Sequence, residues 1–304
     1  MSILLAMQGA LSQGILWGLM ALGVYITFRL LDIADLTVDG SFATGGAVCA
    51  VCLVNGINPW LSLIISTLAG FVAGLITGLL HTKCAIPAIL AGILTQIGLY
   101  SINLRIMGRS NTPLLQSDTV FSQLEKLTGL SNSWITLIIG LVITIAVIVI
   151  LYWYFGTEIG SSIRATGNNE QMVRALGVNT NVTKTLGLMI SNGLIALSGA
   201  LVTQQQGYAD VRMGIGAIVI GLASIVIGEV IFGHKGAFGT RLTSIVVGSV
   251  IYRIIVAVVL QLGLNTDDLK LLTAILVAVA LTVPIVMNKH KQLSMYKKLT
   301  GKER

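Results

Sequence analysis

Charge is scarce in this chain. Lys, Arg, Asp and Glu supply 10% of its 304 residues, against about a quarter in an average soluble domain. So few ions cannot cover a water-exposed surface, whereas the 55% of hydrophobic residues fall into runs of roughly 20 or more, the length that crosses a bilayer as helix. Alternating segments of about ten residues, the mark of a membrane β-barrel, are missing. Cysteine is sparse too: Cys49, Cys52 and Cys84 sit in apolar runs and read as buried thiols. None of His81, His234 and His290 lies at ligand spacing from a second donor, so no metal site is expected. No GxxxxGK[ST] loop, HExxH helix, Ser/His/Asp set or catalytic carboxylate pair occurs, which excludes nucleotide binding by this chain and leaves no catalytic residue to name. The opening MSILLAMQGALSQG lacks a basic n-region and a cleavage pattern, so its apolar run reads as a retained span.

What is present is an all-α, polytopic membrane protein of about eight to ten crossing or partly inserted helices. Apolar runs lie near 9–30, 36–54, 59–80, 84–104, 134–155, 184–205, 213–232, 241–262 and 269–287. The net charge of +7 reports orientation, not nucleic acid, because the cations crowd the flanks of these runs. With the loop after the fifth run and the tail inside, thirteen basic residues face the cytoplasm and five the exterior, which puts the N-terminus outside and Arg253 within a span. This describes a multi-pass protein of the cell membrane: one transmembrane domain over 1–288, its halves joined by a cytoplasmic segment 156–184, and a basic tail 289–304 for the inner leaflet.

The polar stretch Gly160–Lys184 lies between two runs that can each cross a membrane. Asn168 is positioned to cap a helix of about two turns, Met172, Val173 and Leu176 share a face, and Gly177 supplies the left-handed stop. A helix so short needs a groove on a partner to hold it; an ordinary loop with one frayed turn is the plainer alternative.

Three features inside the runs break the apolar rule. After the first span, Asp32, Asp35 and Asp39 lie near hydrocarbon, and Thr37, Asp39, Gly40, Ser41, Thr44, Gly45 and Gly46 describe an unwound or kinked start to the second helix, tolerated where backbone lines a path. A short turn with Asp39 as helix cap would account for the same residues. The fourth run carries Gln96 and Asn103, and the sixth places Asn192 in mid-membrane, as path lining or as interhelical glue. Glu229, in the seventh, is an intramembrane carboxylate and by default a functional candidate, within reach of Lys235 or Arg241. Arg253 matches it in charge but lies about 10 Å or more away in depth. Gly70, Gly74 and Gly78 form a close-packing stripe, and 105–133 forms an outer loop suited to a partner.

The segments GVYITFRLLDIADLTVDGSFATGGAV, RATGNNEQMVRALGVNT, ASIVIGEVIFG and IYRIIVAVVLQLGLNTDDLKLLTA together resemble the permease subunits of ABC importers of the branched-chain amino acid type, most similar to the tryptophan-type subgroup. The resemblance covers nearly the whole chain. It implies a type II-like importer fold with an internal repeat, a coupling helix matching Gly167 to Asn179, and a path at the interface with a second permease copy. It also implies ATPase subunits that hold ATP and Mg, an extracytoplasmic binding protein, and a small solute, with aromatic amino acids favoured. On it, Arg164, Gly167, Asn168, Asn169, Met172, Arg174, Leu176, Gly177 and Asn179 are assigned to ATPase coupling, and Thr37, Asp39, Gly40, Ser41, Gln96, Asn103, Asn192 and Glu229 to the path. The rival class is an ion- or proton-coupled secondary transporter or channel that uses the intramembrane carboxylates.

Overall fold

The apolar runs become helices, and small residues between them bring the helices together. The computed structural model describes residues 2–115, 117–129, 131–233, 236–262, 268, 271–275, 277–279 and 282. Helix α1 (Ser2–Tyr25) widens into a π-helical turn, Ile26–Leu30, before the chain folds back through 31–36 into α2 (Thr37–Val54). Asn58 then caps α3 (Pro59–Thr82) with Pro59 in the first turn, where its missing N–H has no partner to lose. Helix α4 (Ala88–Met107) ends at Gly108 and leads into strand β1 (Asn111–Pro113). Helix α5 (Val120–Thr128), closed by a Thr119–Ser122 capping box, precedes α6 (Asn132–Gly156). Two helices, α7 (Glu158–Asn168) and α8 (Glu170–Ala175), fill the segment 156–184. Then come α9 (Thr180–Gln206), strand β2 (Tyr208–Asp210), α10 (Ala217–Phe232) and α11 (Phe238–Gln261).

Among the described residues seven helices are long and apolar enough to cross a membrane, and Ala217–Phe232 is a shorter apolar one. The ninth expected run, 269–287, is helical at 271–275 and 277–279; Lys235 and the tail 289–304 lie outside the described residues. Among the described residues the one sheet is the antiparallel ribbon pairing β1 with β2, Asn111 opposite Asp210.

Helix α9 is the centre of the packing, flanked by α1, α2 and α3. The stripe Gly70, Gly74 and Gly78 lies against it, where an added methyl would strike the Asn192 and Leu188 carbonyls and Thr185. With lipid as apolar as the side chains, such contact and interhelical hydrogen bonds hold membrane helices together. Ser191 and Ser198 of α9 donate to the Gly23 and Leu16 carbonyls of α1, each at 2.7 Å. Ser249 of α11 donates to the Gly14 carbonyl at 2.9 Å. Each bond turns a helix backbone oxygen into a second, interhelical acceptor. In bundles of this kind the average such bond contributes about 0.6 kcal/mol.

The second helix does not begin unwound. From Thr37 onward α2 is regular, and the irregular backbone lies just before it, where Asp32 takes a left-handed φ of 55°. The glycines expected to loosen this helix instead admit neighbours: a methyl at Gly45 would overlap the Ala196 carbonyl of α9.

Candidate functional site

The residues assigned to the path separate into three groups. The first is a buried lock. Asp35 accepts from the Thr37 amide at 2.8 Å and from the Asn192 side-chain amide at 2.8 Å, and Ser41 donates to the Asn192 oxygen at 2.6 Å. Thr37 and Thr77 share a hydrogen bond of 2.8 Å, and Thr77 donates to Thr95 at 3.0 Å, so α2, α3 and α4 are tied at one depth. Thr37, Ser41 and Asn192 are fully buried and satisfied. Their place is between helices.

The second group opens to one side. Asp39, Gly40, Gln96 and Asn103 line a recess of about 310 Å³ together with Ala43, Ile97, Tyr100, Val211 and Ile215. Its floor is set by Asp39. The carboxylate does not cap its own helix; it accepts from the Gly216 and Ile218 amides at 3.0 and 3.1 Å, at the first turn of α10. That is the favourable end of a helix for a negative charge. The turn 211–216 reaches this depth because Gly214 abuts the Asp39 carbonyl, where any side chain would collide, and Gly216 adopts φ 87°. Asn103 is completely buried at the recess wall, and neither its amide nitrogen nor its oxygen has a protein partner. A buried, unpaired amide is costly, which singles out Asn103 as a candidate solute contact at the recess. Tyr100 was missed from sequence, and Asp35 was singled out there only as a carboxylate near hydrocarbon, not as a partner of Asn192. Tyr100 could have been found, since 96, 100 and 103 fall at i, i+4 and i+7 on one helical face.

Glu229 forms the third group alone. It pairs with Arg29, in the turn that follows α1, and lines a separate cavity with Tyr25, Arg164 and Arg241; Lys235, one of the two expected partners, lies outside the described residues. Arg253 lies over the Trp17 ring, 4.1 Å from its centroid, and Trp17 packs on Phe42 at 4.8 Å. A cation over an aromatic face supplies part of the attraction that a counter-ion would.

The segment 156–184 is more ordered than a loop. Asn169, not Asn168, caps α8, its side chain accepting from the Met172 amide at 3.0 Å, while Asn168 ends α7. Val173 turns into the protein at 2% exposure, whereas Met172 and Leu176 stand out at 50% and 74%; the three do not share one face. Glu170 gathers the base of the segment, receiving bonds from Arg174 at 2.8 Å, Lys184 at 2.7 Å and Thr180 at 3.1 Å. The Lys184 ammonium bonded to it holds the Glu170 carboxyl below the ordinary carboxylate range, with Thr180 and Arg174 adding to the effect against the opposing cost of burial. Gly177 ends the turn at φ 85°, and Asn179 caps α9. Gly167 presses on the Leu30 carbonyl at the end of α1, and Arg164 sits over the Phe238 ring at 5.0 Å. An exposed apolar pair is thereby mounted on a base fastened to α1, α9 and α11.

Comparison with known proteins agrees with this geometry. The chain is 43% identical over 268 residues to a tyrosine transport system permease protein of Clostridioides difficile (strain R20291), covering 88% of this chain and 87% of that one. It is 35% identical over 276 residues to a Rickettsia prowazekii (strain Madrid E) protein designated uncharacterized, covering 90% and 95%. Among solved structures, a putative metal-chelate type ABC transporter in an inward-facing conformation shares the fold, with TM-score 0.52, 17% identity and coverage of 93% of this chain and 85% of that one. The family model for the permease component of branched-chain amino acid transport systems matches residues 6–283. Membership of such a family implies an ATPase and a substrate-binding protein as partners. With its apolar helices, its packing around α9 and this match over most of its length, the chain belongs to the branched-chain amino acid transport permease family and is a multi-pass protein of the cell membrane.

Proposed function

We propose that this chain forms the path of an ATP-driven importer for an amino acid with an aromatic side chain, tyrosine or tryptophan. The reading rests on the recess, in which Asp39, Gln96 and Asn103 bring polar groups to a wall otherwise made of Ile97, Tyr100, Val211 and Ile215. A mostly apolar hollow with a few convergent polar groups suits a solute that is polar at one end and flat and apolar at the other. The role of the Clostridioides difficile relative supports the same substrate class. Ile97 and Tyr100 are 63% and 44% exposed in the single chain, which supports closure of the recess by a second copy, as a homodimer.

On this reading residues 1–288 act as one permease domain, with 289–304 on the inner leaflet. Met172 and Leu176 dock into a separate ATPase, which holds ATP and Mg, and the chain carries out no covalent chemistry. The test is uptake by proteoliposomes that contain the chain, its ATPase and its binding protein. Labelled tyrosine or tryptophan should enter only with ATP and in preference to leucine; equal uptake of leucine would remove the aromatic assignment. Met172→Asp with Leu176→Asp should leave the membrane fold intact and separate ATP hydrolysis from uptake, and undiminished uptake in that double variant would remove the docking role.

A further inference from the structure

At the inner end of the bundle, away from the recess, a cavity of about 240 Å³ opens between α1, α7, α10 and α11. Three of its lining side chains are arginines, Arg29, Arg164 and Arg241, and one is a carboxylate, Glu229. Glu229 is matched to Arg29. The Arg241 Nε donates to the Gly236 carbonyl at 3.2 Å, and Arg164 rests on the Phe238 ring. Neither contact neutralises a guanidinium. Two positive charges therefore exceed the negative charge among the described lining residues, and neither belongs to the polar groups of the recess.

The surroundings place this cavity at a particular level. Tyr152 and Trp153, in the last turn of α6, are 58% and 70% exposed, and Tyr152 lies beside Gly239 in the first turn of α11. Exposed aromatics of this kind mark the boundary between hydrocarbon and headgroups. Next to Glu229 at the end of α10, Val230, Ile231 and Phe232 are all exposed, an apolar edge beside the cavity. A soluble anion needs the arginines but has no use for that edge. A lipid uses both, with a phosphate among the guanidinium groups and acyl chains along α10.

We propose that this cavity binds the phosphodiester headgroup of an anionic phospholipid of the inner leaflet. Asn168, at the end of α7, lines the same cavity, so the headgroup would sit where the coupling segment meets α1, α10 and α11.

The test uses the permease with its ATPase in nanodiscs of phosphatidylcholine alone or with added phosphatidylglycerol. Native mass spectrometry counts the lipids kept on the complex, and the ATPase rate is measured beside it. The parent should keep phosphatidylglycerol in preference to phosphatidylcholine. Arg164→Gln with Arg241→Gln should lose that preference by about tenfold or more, the scale set by two basic groups at a charged membrane surface. Arg164→Lys with Arg241→Lys, which keeps both charges, should retain most of it and shows that loss in the Gln pair is not misfolding. Equal retention of phosphatidylglycerol by parent and Gln pair would overturn the proposal. So would an ATPase rate that depends on the two arginines equally in pure phosphatidylcholine, since they would then serve the ATPase contact. Inorganic phosphate that reproduces the phosphatidylglycerol effect in pure phosphatidylcholine would overturn it too, in favour of a free anion. Lipid retention needs no transport substrate, so failure here leaves the amino acid reading untouched.

Discussion

Asp39 and Glu229 are both carboxylates on apolar helices, and the protein answers them differently. Asp39 is met by two backbone amides at the first turn of α10, with Gly214 packed against its own carbonyl. Glu229 is met by a side-chain cation, Arg29, whose side chain is 42% exposed. An amide at a helix start cannot turn away, so Asp39 joins α2 to α10 in one geometry. A guanidinium on a long stem at the water boundary can change partner. The first arrangement suits a fixed joint in the middle of the bundle and the second an exchangeable contact at its inner end.

The contrast breaks most readily at Asp39. Asp39→Ala leaves the Gly216 and Ile218 amides without their acceptor, at about 1–3 kcal/mol for each buried group left unpaired. The purified complex should melt several degrees lower, and substrate uptake should fall at least tenfold. Asp39→Asn, which keeps one acceptor oxygen, should recover part of both. Parent-like melting of the alanine variant would show that the joint is not fixed.

Glu229→Gln sharpens the other side. It keeps size and hydrogen bonding and removes only the charge opposite Arg29; with the Arg29 side chain 42% exposed and that of Glu229 15%, the loss should cost about 1 kcal/mol. ATP-dependent uptake in proteoliposomes should persist and be indifferent to a proton ionophore. If instead uptake by the parent collapses with the ionophore, continues without ATP and is abolished by Glu229→Gln, the carboxylate is a proton carrier and the secondary-transporter class is restored.

The smallest effect belongs to a third carboxylate, Glu170, outside the membrane. Its pKa is lowered in the folded protein, chiefly by the Lys184 hydrogen bond, so its stabilising contribution is complete above the ordinary glutamate value and is lost as the pH falls through the lower folded value. Protection of the α8 amides from hydrogen exchange, taken relative to the intrinsic rate at each pH, should fall only below about pH 4.3, with α9 unchanged. Glu170→Gln should show the faster exchange at neutral pH and remove the acid dependence.

Most of the helical framework could be read from the apolar runs, because a run long enough to cross a bilayer has few other stable conformations. The Gly70, Gly74 and Gly78 stripe was equally plain, and α9 sits against it. What escaped was non-local. Asp39 meets a partner 177 residues away and Arg29 one 200 residues away, distances over which spacing carries no signal. The glycines after Thr37 were read as loosening the helix because their need, the close approach of α9, is invisible without the neighbour. Helix α7 was missed because EIGSSIRATGN is poor in helix formers. It forms with Thr157 accepting from the Gly160 amide and with Gly160 and Gly167 packed against Phe155 and Leu30. The one-residue slip from Asn169 to Asn168 as cap reflects two adjacent asparagines of equal aptitude.

The three-residue ribbon on the outer side carries a mechanical consequence. Leu114 donates to the Gly207 carbonyl at 2.8 Å and Val211 to the Ser110 carbonyl at 3.0 Å, clamping the outer loop to the chain that leaves α9. Immediately after the clamp the backbone dives to Gly214 and to the amides held by Asp39. A push on the loop at 108–119 cannot be absorbed locally, because the clamp hands it to the descending turn within a few residues. The outer loop and the floor of the recess are thus joined through one short hydrogen-bonded ribbon, and a protein landing on that loop would press on the backbone that carries the amides held by Asp39.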